Sequence, residues 1–240
     1  MTAIAAGVIG LVCLVIAALL LRRLGSGYRV ARLLSAAPEM SLAEIVQVAT
    51  SGERRYLRCT GRISSEEEFP DENQRPLVFR RRRLERGDGA GGWKLLDDER
   101  LAVPFGIEDR TTYVEIDAEA IGEGLVVVPR QSIGVAADLP QELRGVVETP
   151  LDPGTPIRLR IDQVSAVEHA VVAGMPIIGP TGPMMTAGLG RPLILSMVEP
   201  AAAMRLLAGD RRRSVVATAI LIVIGLGSVA VAVVAALGGW

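Results

Sequence analysis

The sequence predicts a membrane protein of the α+β class, with two transmembrane helices flanking a β-rich soluble domain built as a small barrel or sandwich. Three observations carry that expectation. Residues 215–237 form an uncharged run behind Arg211, Arg212 and Arg213; at about 1.5 Å of rise per residue it reaches roughly 35 Å, enough for a hydrocarbon core of about 30 Å. Residues 2–21 form a second apolar run, closed by Arg22 and Arg23. Between the two, charge is concentrated and short apolar runs alternate with turn clusters, so the overall 50% hydrophobic content averages over unlike segments.

Taken in order, residues 1–21 read as the first transmembrane helix. It is an uncleaved anchor, because its arginines follow the apolar run where a cleaved signal would carry them in front. Arg29, Arg32, Arg205 and Arg211 to Arg213 all lie on the flank of the central domain. That bias predicts an integral membrane protein with a cytoplasmic centre and both termini outside. Residues 22–53 read as a helical connector: Ser41 and Glu44 have capping-box spacing, and Leu42, Ile45 and Val46 fall at helical intervals.

Residues 54–200 read as the β domain. Strands are expected at 56–63, 77–84, 93–96, 113–116, 125–128, 156–164 and 193–198, separated by Gly-, Pro- and Asp-rich turns. Residues 174–192, rich in Gly and Pro, read as a long loop. Its Met175, Met184 and Met185 make it a candidate partner loop. Residues 201–213 follow as a helical stalk, and 214–237 as the second transmembrane helix. Gly225 and Gly227 there would let another helix approach closely.

Several chemistries are excluded by what the chain contains. Cys13 and Cys59 sit in segments of unlike character, so no disulfide framework forms. With His169 as the one histidine, ligands for a Cys/His zinc site are missing. No phosphate-binding glycine loop, nucleophile elbow or thiol pair occurs, so no catalytic residue, metal ligand or cofactor is expected. A net charge of −1 gives no general attraction to nucleic acid.

The densest charge run is Arg80, Arg81, Arg82 and Arg83, with Arg86 behind it. Strand alternation turns two of the first four inward, where something must receive them. The expected receivers are Glu66, Glu67, Glu68, Asp71 and Glu72, brought across by hairpin pairing. As a surface patch, the same arginines would hold anionic lipid headgroups near the bilayer or an unknown protein partner. Glu115, Asp117 and Glu119 share one strand face, as a solvated surface or as oxygen ligands for a divalent cation. His169 reads as a surface residue.

Residues 56–61 (YLRCTG), 76–85 (PLVFRRRRLE), Trp93, 103–109 (VPFGIED), 114–118 (VEIDA) and 191–196 (RPLILS) resemble the GIDE family, the mitochondrial membrane-anchored ubiquitin ligases. Their "beside a membrane" domain sits between two spans. The resemblance implies a protein-binding or lipid-binding module beside the bilayer. It also implies a ubiquitin-ligase-type transferase or its substrate-binding subunit, in which a zinc-binding RING follows the second span. No RING ligands occur before Trp240, so the chain resembles a RING-less, prokaryotic-type relative in a cell membrane.

Overall fold

The computed structural model describes residues 2–89, 92–122, 124–145, 150–199, 202 and 212–237. Contacts divide the chain into two units, one of residues 37–199 and one of the residues before and after it. The stalk expected at 201–213 falls almost wholly outside the described residues.

In the outer unit, helix α1 (Thr2–Ala36) packs against a C-terminal helix (Arg212–Leu237) running the opposite way. Glycine permits the close approach: a Cβ on Gly10 would stand 2.8 Å from the Val229 side chain and 2.9 Å from the Gly225 carbonyl oxygen. One on Gly225 would meet Leu14 at 2.9 Å. Val8, Leu11, Val12, Val15, Val223 and Val234 are exposed on the pair.

Among the described residues, no helix is long and apolar enough to cross a membrane. This corrects the two-transmembrane architecture, the function built on it, and the integral-membrane localisation with a cytoplasmic centre and both termini outside.

The inner unit begins with helix α2 (Leu42–Ser51), which the capping box starts as the spacing predicts. Ser41 Oγ accepts from the Glu44 N–H, and the Glu44 carboxylate accepts from the Ser41 N–H at 2.8 Å. Gly52 stops the helix at φ 72, a left-handed conformation that glycine adopts without strain. Leu42, Ile45 and Val48 are buried against the β structure that follows.

Twelve strands follow: β1 (Leu57–Ser64), β2 (Phe69–Pro70), β3 (Pro76–Gly87), β4 (Trp93–Ala102), β5 (Gly106–Glu108), β6 (Tyr113–Ile116), β7 (Leu125–Val126), β8 (Arg130–Val135), β9 (Pro156–Ser165), β10 (His169–Ile178), β11 (Pro183–Thr186) and β12 (Ile194–Ser196). Five close a ring in the order β1, β5, β6, β11, β10 and back to β1. Its seams are antiparallel except β6 with β11, which is parallel. This is the Greek-key order of a small OB-type barrel. Its interior is closed by Leu57, Cys59, Phe105, Ile107, Val172 and Met185, all fully buried. Strand β12 adds to β10, and β7 adds to β12 in parallel.

The remaining strands form a second sheet in the order β2, β3, β9, β8, with β4 also on β3. Every strand of it is inserted between barrel strands, β2 to β4 after β1 and β8 to β9 after β6. Phe79 and Val164 tie it into the main core, while Leu84, Ala136, Leu139, Leu143 and Ile157 make a smaller one of their own.

Residues 174–192, expected as a long loop, hold the end of β10 and all of β11. Gly174 packs there because a Cβ would stand 2.7 Å from the Thr186 carbonyl oxygen and 2.7 Å from Leu193. A glycine that reads as a chain breaker is here a close-approach residue within a strand.

Candidate functional site

The arginine run lies at the centre of the second sheet, where β3 pairs with β4 on one side and β9 on the other. Arg81 and Arg83 share one face with Asp98, Arg100, Arg160 and Asp162 by register. Arg81 grips Asp98 with both prongs, Nε to Oδ1 at 2.7 Å and Nη2 to Oδ2 at 2.6 Å. Its side chain is 9% exposed. Arg83 Nη2 donates to Asp162 at 2.6 Å, and Arg160 Nε to the other oxygen of that carboxylate at 3.3 Å. On the opposite face Arg82 pairs with Glu99 at 2.7 Å, and Arg80 lies over the Phe69 ring at 5.9 Å. At the far end Arg158 pairs with Glu85 and lies over Trp93 at 4.6 Å. Arg86 makes no ion pair among the described residues, standing opposite Lys94 and Ile157.

The inward arginines are thus received by β4 and β9, not by the acidic stretch at 66–72. Within that stretch Asp71 alone is ion-paired, and its partners are Arg75 and Arg130. The hydrogen bond from Arg81 holds the Asp98 carboxyl below its ordinary range. A run that reads as a basic patch lies inside a sheet, with Arg81, Arg82 and Arg83 ion-paired to residues of the neighbouring strands.

The other expected site residues are dispersed. Met185 is a buried barrel residue, while Met175 and Met184 are half-buried on β10 and β11. Asp117 is engaged locally, accepting from Thr186 Oγ1 at 2.6 Å and the Ala120 N–H at 3.1 Å, while Glu115 accepts from Thr181. Among the described residues no cluster of His, Cys, Asp and Glu is arranged to hold a metal. His169 is exposed at the start of β10. Cys59 is wholly buried, and desolvation raises its thiol to about 12, so it is no nucleophile.

Two features that the sequence reading missed stand out. Among the described residues the second sheet ends on one side at β8, where Gln131 to Val135 are all exposed and pair with β9 alone. Ile133 is 63% exposed, and Val128 just before the strand is 68% exposed. Beside it, where the second sheet meets the ends of β7 and β12, lies a cavity of about 250 Å³ lined by Asp71, Arg75, Leu77, Val127, Arg130, Ile161, Gln163, Glu168 and Met197, among others. Asp71 Oδ1 accepts from the backbone N–H groups of Asn73 and Arg75, at 2.7 and 2.9 Å. The Arg75 N–H above all holds the carboxyl ionised by lowering its pKa. Its Oδ2 is buried and accepts no hydrogen bond; Arg75 Nε and Arg130 Nη2 stand off at 3.5 and 3.6 Å.

No protein-family model, curated protein or solved structure matches this chain.

Proposed function

We propose that the β-rich unit is a protein-recognition module that takes an extended segment of a partner protein as an additional strand along β8. The observation that carries this is the contrast between the two edges of one sheet. β4 is guarded by Lys94, Asp97, Glu99 and Arg100, the charged side chains that keep edges from pairing. After Arg130 at its start, β8 carries Gln131, Ser132, Ile133, Gly134 and Val135, a stretch with no charge and no proline to block main-chain bonding. Strand addition supplies main-chain hydrogen bonds, and exposed Ile133 and Val135 offer apolar purchase to alternate side chains.

The arginine ladder supports a protein partner over an anionic lipid surface, because Arg81, Arg82 and Arg83 are ion-paired within the sheet. The likeness of 56–61, 76–85 and 191–196 to the GIDE family's soluble domain supports a recognition role as well. Those residues fall on or beside β1, β3 and β12, in framework and not around a reacting group.

Selection of a displayed library of random decapeptides on the full chain tests the reading. Peptides of extended, β-prone sequence should be enriched, and the double variant Ile133→Lys/Val135→Lys should bind them at least about tenfold more weakly, since an edge charge blocks pairing. Peptides that bind the double variant as well as the wild type refute the assignment to β8.

A further inference from the structure

We infer that the strand which β8 receives is β8 of a second copy of this chain, so that two copies join antiparallel about a two-fold axis through Ile133. The inference rests on the strand-addition reading and names its partner.

Main-chain geometry carries it. β8 and β9 pair without a register shift from Arg130↔Ile161 to Val135↔Pro156. Just past the strand the Ala136 N–H donates to the Thr155 carbonyl at 2.9 Å. In an antiparallel ladder alternate residues bond the same neighbour. Gly134, Ser132 and Arg130 therefore turn their N–H and C=O groups to β9, and Gln131, Ile133 and Val135 turn theirs outward. Pro156 fits this phase, since it stands opposite Val135, where no N–H is called for. Among the described residues β8 has no other strand beside it, so those outward groups are open to pairing.

A two-fold pair must match the edge with itself. Centred on Ile133, every outward residue meets another: Gln131 the partner's Val135, Ile133 the partner's Ile133, and Val135 the partner's Gln131. Each pair exchanges two main-chain hydrogen bonds, about six across the seam. Neighbouring registers do worse. Centring on Ser132 sets Val135 against the partner's Pro129, which has no N–H. Centring on Gly134 sets Gln131 against the partner's Ala137, whose N–H is already given to the Pro153 carbonyl at 3.0 Å.

Side chains agree with the Ile133 centre. Ile133, 63% exposed, is covered there by its own counterpart. On the other face Asp138 lies over Gly134, its carboxylate 3.6 Å from where a Cβ would stand. That puts Asp138 one diagonal step from the partner's Arg130, a pairing of opposite charges. The two copies of Arg130 themselves stand about 20 Å apart along the strands.

The exposed apolar side chains of the outer helices can also bring copies together, so the test reads the register rather than the mass. The full chain carries Cys13→Ser, with Cys59 left buried, and receives cysteines on β8 before oxidation by copper phenanthroline at about 100 µM protein, a concentration suited to so small an interface. Ile133→Cys should give a disulfide-linked dimer, its α-carbons about 5.5 Å apart. Val135→Cys, with about 14 Å between copies, should link at least about tenfold less. Gln131→Cys with Val135→Cys should restore linking, and adding Ile133→Lys, which sets like charges face to face on the axis, should cut it again at least about tenfold. Equal linking at 133 and 135, or double-cysteine linking untouched by Ile133→Lys, overturns the inference. A chain that links at neither position yet enriches β-prone peptides overturns this inference alone, and one that does neither overturns the β8 reading with it.

Discussion

If the arginines of β3 are framework and not a patch, removing Arg81 will unfold the protein sooner without any partner present. Arg81 is 9% and Asp98 23% exposed at the side chain, and the pair is bidentate at 2.6 to 2.7 Å. Breaking a buried pair on one side leaves the other charge stranded, which costs about 3–5 kcal/mol. The partial exposure of Asp98 places Arg81→Met near the lower end, about 3 kcal/mol. For a unit of this size each kcal/mol moves the melting temperature by about 2–4 °C, so the shift should be roughly 6–12 °C. Replacing both partners, Arg81→Met with Asp98→Leu, leaves neither charge of this pair stranded and should recover part of the lost stability. Urea titrations followed by Trp93 fluorescence measure all three. Asp98 is depressed in the folded state, so its contribution is present above the ordinary carboxylate pKa and is lost as pH falls through the folded value. The gap between wild type and Arg81→Met should therefore close at acid pH. A single variant costing under about 1 kcal/mol, or a double variant no more stable than the single, would refute the framework reading.

Two further outcomes follow from burial. Cys59 titrates at about 12 when folded, above the ordinary thiol value of about 8.5, so the folded state is favoured at neutral pH and loses that advantage as pH rises from about 9 toward 12. Denaturation midpoints should fall over that range, less so in Cys59→Ala, and the native thiol should resist alkylation until the protein unfolds. Gly174→Ala forces a methyl against the Thr186 carbonyl and Leu193 within the β10 and β11 seam. It should cost about 1–3 kcal/mol by thermal denaturation, as over-packing does, and a neutral outcome would show that the seam yields.

Much of the framework was legible because alternation and turn chemistry are local. The runs at 56–63, 77–84, 93–96, 113–116 and 156–164 lie on or overlap β1, β3, β4, β6 and β9. Strand β11 was hidden by Pro183 and by the Gly and Pro residues around it, whose meaning lies in a partner strand far off in sequence. Strand β8 was hidden because its pattern is that of an edge, where one side has no packing demand. The arginine partners were half legible. The glycine-rich turn at 87–92 marks a hairpin, but counting outward from it sets Asp97 opposite Arg83, and only the register shift between Leu84 and Glu85 puts Asp98 there, next to the residue it serves. Asp162 comes from a strand 79 residues beyond Arg83, and no local rule reaches it. The cavity beside Asp71 was wholly illegible, since its walls come from several separate segments that only the fold assembles.

The second sheet is made of two excursions from the barrel, and neither is complete without the other. β3 from the first excursion lies between β4, its own hairpin mate, and β9 from the second. Asp162 of the second excursion is the counter-charge for Arg83 of the first. Shortening one loop to a tight turn would strand the other, leaving buried charge unmatched and a fresh open edge. The barrel can be trimmed only by removing both together, so these two segments, far apart along the chain, amount to one inheritable part.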